Sequence, residues 1–352
     1  MPRWSLAGRT IRGALLMAAL VLLVAGPACI RARSAPVVTG PIALLCGAED
    51  GKPCQITLLA VEPDDGSGPL SAEFHAAANT IDFVPFTLDE PALIQSLAEA
   101  QERGVRVRVL LEPSPEKDGT IGALGAAALR SRGIDVQMSN PAFALTHAKY
   151  AVIDRRRALI LTHNSTAESF RSQRDFAVAD DDRADVDFVQ RLFEADWNRR
   201  SVGAIPDGFV VSPENSNAAL TNAVGATQRT LDVYAEKLLP SPLLDAIVAA
   251  AARQVRVRIV AAPVEPRERA LIDLRQAAAS GNLALRVSQR PRIHAKVIVL
   301  DGTTIFLGSE NVQDAPRERR RELGIVFQEP VIAAKLRATF ESDWNTATPG
   351  LP

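Results

Sequence analysis

The sequence predicts an α/β protein made of two similar lobes, each a mixed, mostly parallel sheet flanked by helices and related by a pseudo-twofold. Three observations predict it. Residues 80–113, TIDFVPFTLDEPALIQSLAEAQERGVRVRVLLEP, align without a gap on residues 230–263, TLDVYAEKLLPSPLLDAIVAAAARQVRVRIVAAP, at an offset of 150. Both read as strand, amphipathic helix and strand, because period-two alternation gives way to the helical period and then returns. A later pair of segments aligns at an offset of 147: His147 on His294, Lys149 on Lys296, Asp154 on Asp301, Asn164 on Asn311, Asp175 on Glu322, and FEADWN (193–198) on FESDWN (340–345). The halves are therefore duplicates that differ by a three-residue deletion. Finally, strands and helices alternate in each half, which is the pattern of helix-covered sheets with parallel strands.

The segments follow in chain order. Residues 1–28 carry Arg3, Arg9 and Arg12 without an acid, ahead of an apolar run from Gly13 to Ala28, the layout of a secretory signal. That run falls short of the ~20 residues that span a bilayer. The small residue before Cys29 resembles the lipobox of bacterial lipoproteins, in which the cysteine is acylated; Gly26 and Pro27 depart from it. Cys46 and Cys54 bracket the loop GAEDGKP, which suits a small disulfide in an oxidising compartment, the alternative being unrelated thiols. The first lobe is expected over residues 40–205 and the second over 206–352. Residues 200–217, with Gly203, Pro206, Gly208 and Pro213, read as the connection, and residues 113–125 as a surface loop. Pro63 and Pro213 each end a short apolar run.

Hydrophobic residues make up 47% of the 352, ample for a core. Without residues 1–28, 37 basic residues face 41 acidic ones, a charge of −4. Such a chain is a poor general polyanion binder, because nonspecific nucleic-acid affinity needs many phosphate-neutralising cations.

With four histidines in the chain, two H-x-K pairs at matched places are informative. Alternate side chains of a strand share a face, so His294 and Lys296 point together, as do His147 and Lys149. Ala295, Val297 and Val299 then face the core. Asp301-Gly302 is a hairpin signal, so the segment TTIFLGSEN is expected to return antiparallel and bring Gly308, Ser309 and Asn311 beside His294. An imidazole, an ammonium, a hydroxyl and an amide suit a phosphate ester: the imidazole as nucleophile or acid, Lys and Asn gripping nonbridging oxygens. Breaking a phosphodiester through a covalent intermediate needs a nucleophile on one side of phosphorus and a proton donor on the other. Two copies about a pseudo-twofold axis supply both.

The pattern H-x-K-(x)4-D-(x)6-G-S-x-N is similar to the HKD signature of the phospholipase D superfamily. The second copy matches throughout with His294, Lys296, Asp301, Gly308, Ser309 and Asn311; the first keeps His147, Lys149, Asp154 and Asn164 but has Leu161 and Thr162 for Gly and Ser. The resemblance implies a two-lobed α/β sandwich with one site between the lobes, without metal or cofactor. One histidine forms a phosphohistidine while the other protonates the leaving alcohol. In most members the N-terminal histidine is the nucleophile, which would be His147, leaving His294 as acid/base; the residues themselves leave that order open. Asp175 and Glu322 match the family acid that orients each histidine. Thr162, Gly308 and Ser309 are expected to support phosphate binding, with Leu161 narrowing the pocket or moving its loop. Asp154 and Asp301 read as structural turn aspartates.

These implications favour a phospholipid substrate, hydrolysed or used for phosphatidyl transfer at a membrane surface by an exported monomer: periplasmic, lipid-anchored or secreted. The alternatives are an exported nuclease of the same superfamily, with nucleic acid as substrate, and a catalytically impaired binding protein. Elsewhere, His75 reads as a surface or packing residue, and His163 has no partner motif. Trp197 and Trp344 read as core. The arginines at 155–157 and 319–321 read as a solvated face or as a lure for anionic substrate.

Overall fold

The computed structural model describes residues 42, 44–46, 54–113, 120–263, 269–313 and 319–351. The signal-like segment 1–28, Cys29 and residues 114–119 of the first-lobe loop lie outside them. The first lobe runs β1 (Ile56–Glu62), α1 (Gly68–Ala76), β2 (Thr80–Phe86), α2 (Pro91–Glu102), β3 (Arg106–Leu111), α3 (Thr120–Arg130), β4 (Asp135–Met138), β5 (Leu145–Thr146), β6 (Tyr150–Ile153), β7 (Arg157–Leu161), α4 (Ala167–Ser172), β8 (Gln173–Asp180) and α5 (Arg183–Trp197). The second runs β9 (Phe209–Ser212), α6 (Ser216–Ala226), β10 (Thr230–Ala235), α7 (Pro242–Ala252), β11 (Arg256–Ala261), α8 (Arg269–Ala278), β12 (Leu283–Val287), β13 (Arg292–Ile293), β14 (Lys296–Leu300), β15 (Thr304–Gly308), β16 (Arg320–Gln328), α9 (Pro330–Thr346) and β17 (Thr348–Pro349). The expected strand–helix–strand units are β2–α2–β3 and β10–α7–β11. Because β9 pairs with β16, the connection between lobes is shorter than residues 200–217.

Each sheet is mixed. The first has the order β1-β8-β7-β6-β2-β3-β4 and the second β17-β12-β11-β10-β14-β15-β16-β5, with β9 also on β16. β2, β3 and β4 are parallel, as are β10, β11 and β12, while the motif hairpins β6–β7 and β14–β15 are antiparallel. The two sheets face each other across one core to which both contribute, including Val84, Tyr150, Phe176, Val297, Ile305 and Ile325 together with Phe188 of α5 and Leu336 of α9. Helices α1 and α2 cover the outer face of the first sheet, and α6 and α7 that of the second. The alternation in β3 explains this layering: Val107, Val109 and Leu111 face the outer core, and Leu110 the inner one. Capping fixes where helices begin: Ser241 Oγ accepts from Leu244 N at 3.2 Å ahead of Pro242, and Glu329 from Ile332 N at 2.7 Å ahead of Pro330.

The lobes exchange strands. β5 of the first pairs in parallel with β16 of the second, Leu145 opposite Arg320 and Thr146 opposite Arg321. β13 of the second pairs in parallel with β8 of the first, Arg292 opposite Gln173 and Ile293 opposite Arg174. Each lobe thus lends the two residues ahead of its motif histidine to the other lobe's sheet.

A duplicated set of ion pairs locks the exchange. The fully buried Arg321 gives Nε to Asp196 (3.1 Å) and Nη1 to Glu214 (2.6 Å) and to the Ser212 carbonyl (3.0 Å). Arg174 gives Nε to Asp343 (2.8 Å) and Nη1 to Asp64 (3.0 Å) and to the Glu62 carbonyl (2.6 Å). The repeated Phe-Glu-x-Asp-Trp helices now have a physical reason. Their Asp reaches across to the opposite lobe's strand arginine, except that each Glu and aromatic pair stays home: Arg108 lies 4.7 Å over Phe193 and bonds Glu194, and Arg258 lies 4.9 Å over Phe340 and bonds Glu341. The arginines at 319–321 are therefore not simply a solvated face, and Arg157 likewise pairs with Asp181 and Glu73. Trp197 and Trp344 pack at the edge of the central core. The structure joins Cys46 to Cys54 in a disulfide.

Candidate active site

The exchange of strands places each motif histidine beside the other lobe's acid. β5 ends at Thr146, and the amides of His147 and Ala148 then both donate to the Arg321 carbonyl, at 2.8 and 3.0 Å. That anchor sets the His147 ring against the residue after Arg321: its Nδ1 lies 2.9 Å from Glu322 Oε2. The second lobe repeats the arrangement, with His294 and Ala295 donating to the Arg174 carbonyl and His294 Nδ1 at 3.0 Å from both oxygens of Asp175. Both rings line one cleft of about 610 Å³ with Phe86, Asn164, Glu236, Lys237, Arg292 and Arg320. With Nδ1 committed to a carboxylate, Nε2 is the nitrogen left for chemistry.

All four groups are buried, and the electrostatics follow. Burial, opposed by Glu322 and reinforced by Lys149, pushes His147 down to about 4, so the ring is neutral at physiological pH. Burial and the neighbouring Lys296 push Lys149 down to about 7. Burial acts to raise Asp175 and Glu322, but the facing histidines and lysines hold both carboxyls below their ordinary range. Lys149 and Lys296 each donate to the backbone carbonyl of their own motif histidine, across the short break between β5 and β6 in the first lobe and between β13 and β14 in the second.

The remaining motif residues divide by role. Asn164 lines the cleft. Asn311 points Nδ2 to Glu236 at 3.1 Å. Thr162 and Ser309, expected to touch phosphate, are instead fully buried and brace the acid-bearing strands: Thr162 Oγ1 donates to Asp175 (2.5 Å) and accepts from Phe176 N (2.9 Å), and Ser309 Oγ accepts from Leu323 N (3.0 Å). Asp154 accepts from the amides of Ala78, Asn79 and Thr80, and Asp301 from those of Gln228, Arg229 and Thr230. Each aspartate thereby fixes the turn into the next strand rather than facing the cleft.

Leu161 is fully buried in the first lobe's outer core, so its bulk is directed away from the cleft. Gly308, its counterpart, faces a different constraint: a Cβ there would stand 2.5 Å from Gly324 Cα and 2.6 Å from Glu310 Oε2. The second lobe needs that space because Glu310, buried beside Glu322, takes the position that His163 takes in the first. Burial and the adjacent Glu322 drive the Glu310 carboxyl well above its ordinary range, so it keeps its proton. His163 is buried edge-on to Phe170 and pushed down to about 4, chiefly by burial. His75 is exposed and pairs with Glu99 at 2.9 Å.

Two cleft residues carried no motif signal. Glu236 bonds Lys296 Nζ at 2.7 Å, and Phe86, at the matching place 150 residues earlier, lies 4.6 Å from both the His147 ring and Lys149 Nζ. The exchange of an aromatic for a charged residue at the end of two aligned segments was the available clue. Among the described residues, no group of three or more His, Cys, Asp or Glu side chains is arranged to hold a metal ion, and no helix is long and apolar enough to cross a membrane.

Comparison with known proteins agrees with this geometry. The family model described as "Cardiolipin synthase, PLD-like domain" matches residues 70–197 and again 220–344. The mitochondrial cardiolipin hydrolase of Xenopus laevis is 27% identical over 156 residues, 44% of this chain and 70% of that protein. Its Xenopus tropicalis counterpart is 28% identical over 143 residues, 40% of this chain and 63% of that protein. Among solved structures, phosphatidylserine synthase of Haemophilus influenzae Rd KW20 has a TM-score of 0.62 at 16% identity, covering 83% of this chain and 85% of its own. Polyphosphate kinase of Porphyromonas gingivalis also scores 0.62, at 18% identity, over 81% of this chain and 50% of that one. At such identities the two structures speak for the fold alone. The two family matches cover more than half of the sequence and coincide with its two lobes, so the chain belongs to the phospholipase D-like family and carries two copies of its domain.

Proposed function

We propose that this protein breaks a phospholipid phosphodiester through a covalent phosphohistidine, passing the phosphatidyl group to water or to a second alcohol. The observation that carries the proposal is the pair of imidazoles on one cleft, each held at Nδ1 by the opposite lobe's carboxylate. His147, kept neutral by burial beside Phe86, is the nucleophile. His294 has Asp175 at Nδ1 and Glu236 3.7 Å from Nε2, carboxylates on both sides, the surroundings of a proton donor.

In the first step His147 Nε2 attacks phosphorus, the P–O bond to the leaving alcohol breaks, and the His294 proton goes to that oxygen. In the second, His294 takes a proton from water or alcohol, whose oxygen attacks phosphorus as the P–N bond breaks. Lys149, Lys296, Asn164 and Asn311 neutralise and orient the nonbridging oxygens.

A lipid substrate is supported by the description of the matching family model and by the cardiolipin hydrolases among the relatives. The signal-like residues 1–28 support export, with Cys29 as the place for a lipid anchor, and both motifs in one chain support a monomeric enzyme. The test is purified protein on cardiolipin vesicles, single-stranded DNA and bis(p-nitrophenyl) phosphate, with His147→Ala and His294→Ala as controls. Lipid turnover lost in both variants is expected. Turnover of DNA but not lipid would replace this reading by the nuclease one, and no histidine-dependent turnover would remove the enzyme reading altogether.

A further inference from the structure

Several matched positions of the cleft differ between the lobes, Thr87 and Lys237, Leu145 and Arg292, and Gln173 and Arg320 among them, but Phe86 and Glu236 are the pair that touches the motif lysines. On the His147 side the ring of Phe86 sits against the imidazole and the ammonium, so Lys149 meets no carboxylate from that position. On the His294 side Glu236 Oε2 is 2.7 Å from Lys296 Nζ, 3.1 Å from Asn311 Nδ2 and 3.7 Å from His294 Nε2. By the mechanism above the first two atoms would hold the phosphoryl oxygens and the third would pass its proton to the leaving alcohol. Burial would raise the Glu236 carboxyl, but Lys296, then His294 and Lys237, hold it well below its ordinary range, so it is fully charged at neutral pH.

We propose that Glu236 is a charge-selecting residue, which lets the site accept a phosphodiester monoanion and reject the phosphomonoester dianion that hydrolysis leaves behind. The proposal rests on the phosphodiesterase reading. Its physical basis is the like-charge contact: an anion held by Lys296 and Asn311 must share them with a carboxylate already in place, and each added negative charge is repelled within a few ångströms in a poorly solvated cleft. A diester brings one charge, which Asn164 on the Phe86 side can meet, joined by Lys149 to the extent that its ammonium, held down to about 7, remains. A monoester or inorganic phosphate near pH 8 brings two, and the second falls on the side where Glu236 stands. Selection of this kind would release the product and protect the enzyme from free phosphate.

The experiment compares two non-reacting anions at pH 8 on the full-length protein, inorganic phosphate and dimethyl phosphate, with dissociation constants read by calorimetry. Glu236→Gln keeps the shape of the side chain and removes its charge; Glu236→Phe installs the first lobe's own residue and serves if the glutamine variant folds poorly. Inorganic phosphate is expected to bind at least tenfold more tightly to either variant, with dimethyl phosphate changing less than threefold. Equal gains for both anions, no gain for phosphate, or weaker binding of phosphate would each overturn the proposal. Because binding is read without turnover, a gain in phosphate affinity with no histidine-dependent diesterase activity would sink the phosphodiesterase reading and leave anion selection standing.

Discussion

His147 and Glu322 lie 175 positions apart and in different lobes, yet Nδ1 and Oε2 are 2.9 Å apart. His294 and Asp175 repeat the relation in the opposite direction. Neither lobe therefore holds a finished acid–histidine pair of its own, which ties catalysis to the exchange of β5 and β13. Replacing either acid by its amide leaves the shape of the pair but removes the charge that fixes the ring's tautomer. For Glu322→Gln and Asp175→Asn, kcat should fall by about 10²–10⁴ with the fold intact. Steady-state kinetics beside circular dichroism checks this; a loss below threefold in either variant would deny that acid its orienting role.

The arginine before each acid should matter for stability more than for chemistry. Arg321 is buried against Asp196, whose carboxyl is already raised to about 6, chiefly by burial. Removing the arginine strands that acid and Glu214. Arg321→Met should cost about 3–5 kcal/mol in a urea unfolding experiment, and Arg321→Met with Asp196→Leu should recover much of it.

The pH profile follows from two depressed groups. Lys149, held down to about 7, is charged below that pH and neutral above it, whereas His147, at about 4, stays neutral from pH 5 upward. Since kcat/KM reports the free enzyme, it should be level from about pH 5 to 6.5 and decline above about 7 as the ammonium is lost. Lys149→Arg cannot lose its charge in this range, so its profile should lack the alkaline decline even if its plateau is lower. A wild-type profile still level at pH 9 would contradict this assignment.

The glycine–leucine difference between the two motifs should prove non-interchangeable. Gly308→Ala drives a Cβ to within 2.5 Å of backbone at Gly324, an overpacking expected to cost about 1–3 kcal/mol or more. Leu161→Gly empties a fully buried site in the outer core and should cost about 2–5 kcal/mol. Both values are accessible from thermal or urea unfolding. If Leu161→Gly instead left stability unchanged and raised activity, the leucine would have to reach the cleft after all.

Much of this was legible in the chain because duplication doubles every signal. The strand–helix–strand units showed through their change of period, and the H-x-K pairs through their repetition. The exchanged strands did not show, since two residues such as Leu145–Thr146 carry no periodicity. Arg321 looked like part of an exposed basic run; its buried state was readable only by noticing that Arg174, Asp196 and Asp343 recur at the same offset and can pair crosswise. Thr162 and Ser309 kept hydroxyls at the expected places, but pattern alone cannot say whether a hydroxyl faces a ligand or a neighbouring strand. Glu236 has no counterpart of its own kind, so repetition could not point to it.

The central claim, a phosphohistidine formed in a two-lobed site, is tested most directly by trapping it. The protein should be mixed with a chromogenic phosphodiester, quenched in alkali within milliseconds to seconds, digested and read by mass spectrometry, with His294→Asn included to slow the second step. The account predicts a phosphoryl adduct on His147 that accumulates in His294→Asn and is absent from His147→Asn. Turnover without any adduct on histidine, or an adduct on His294 that persists in His147→Asn, would contradict it.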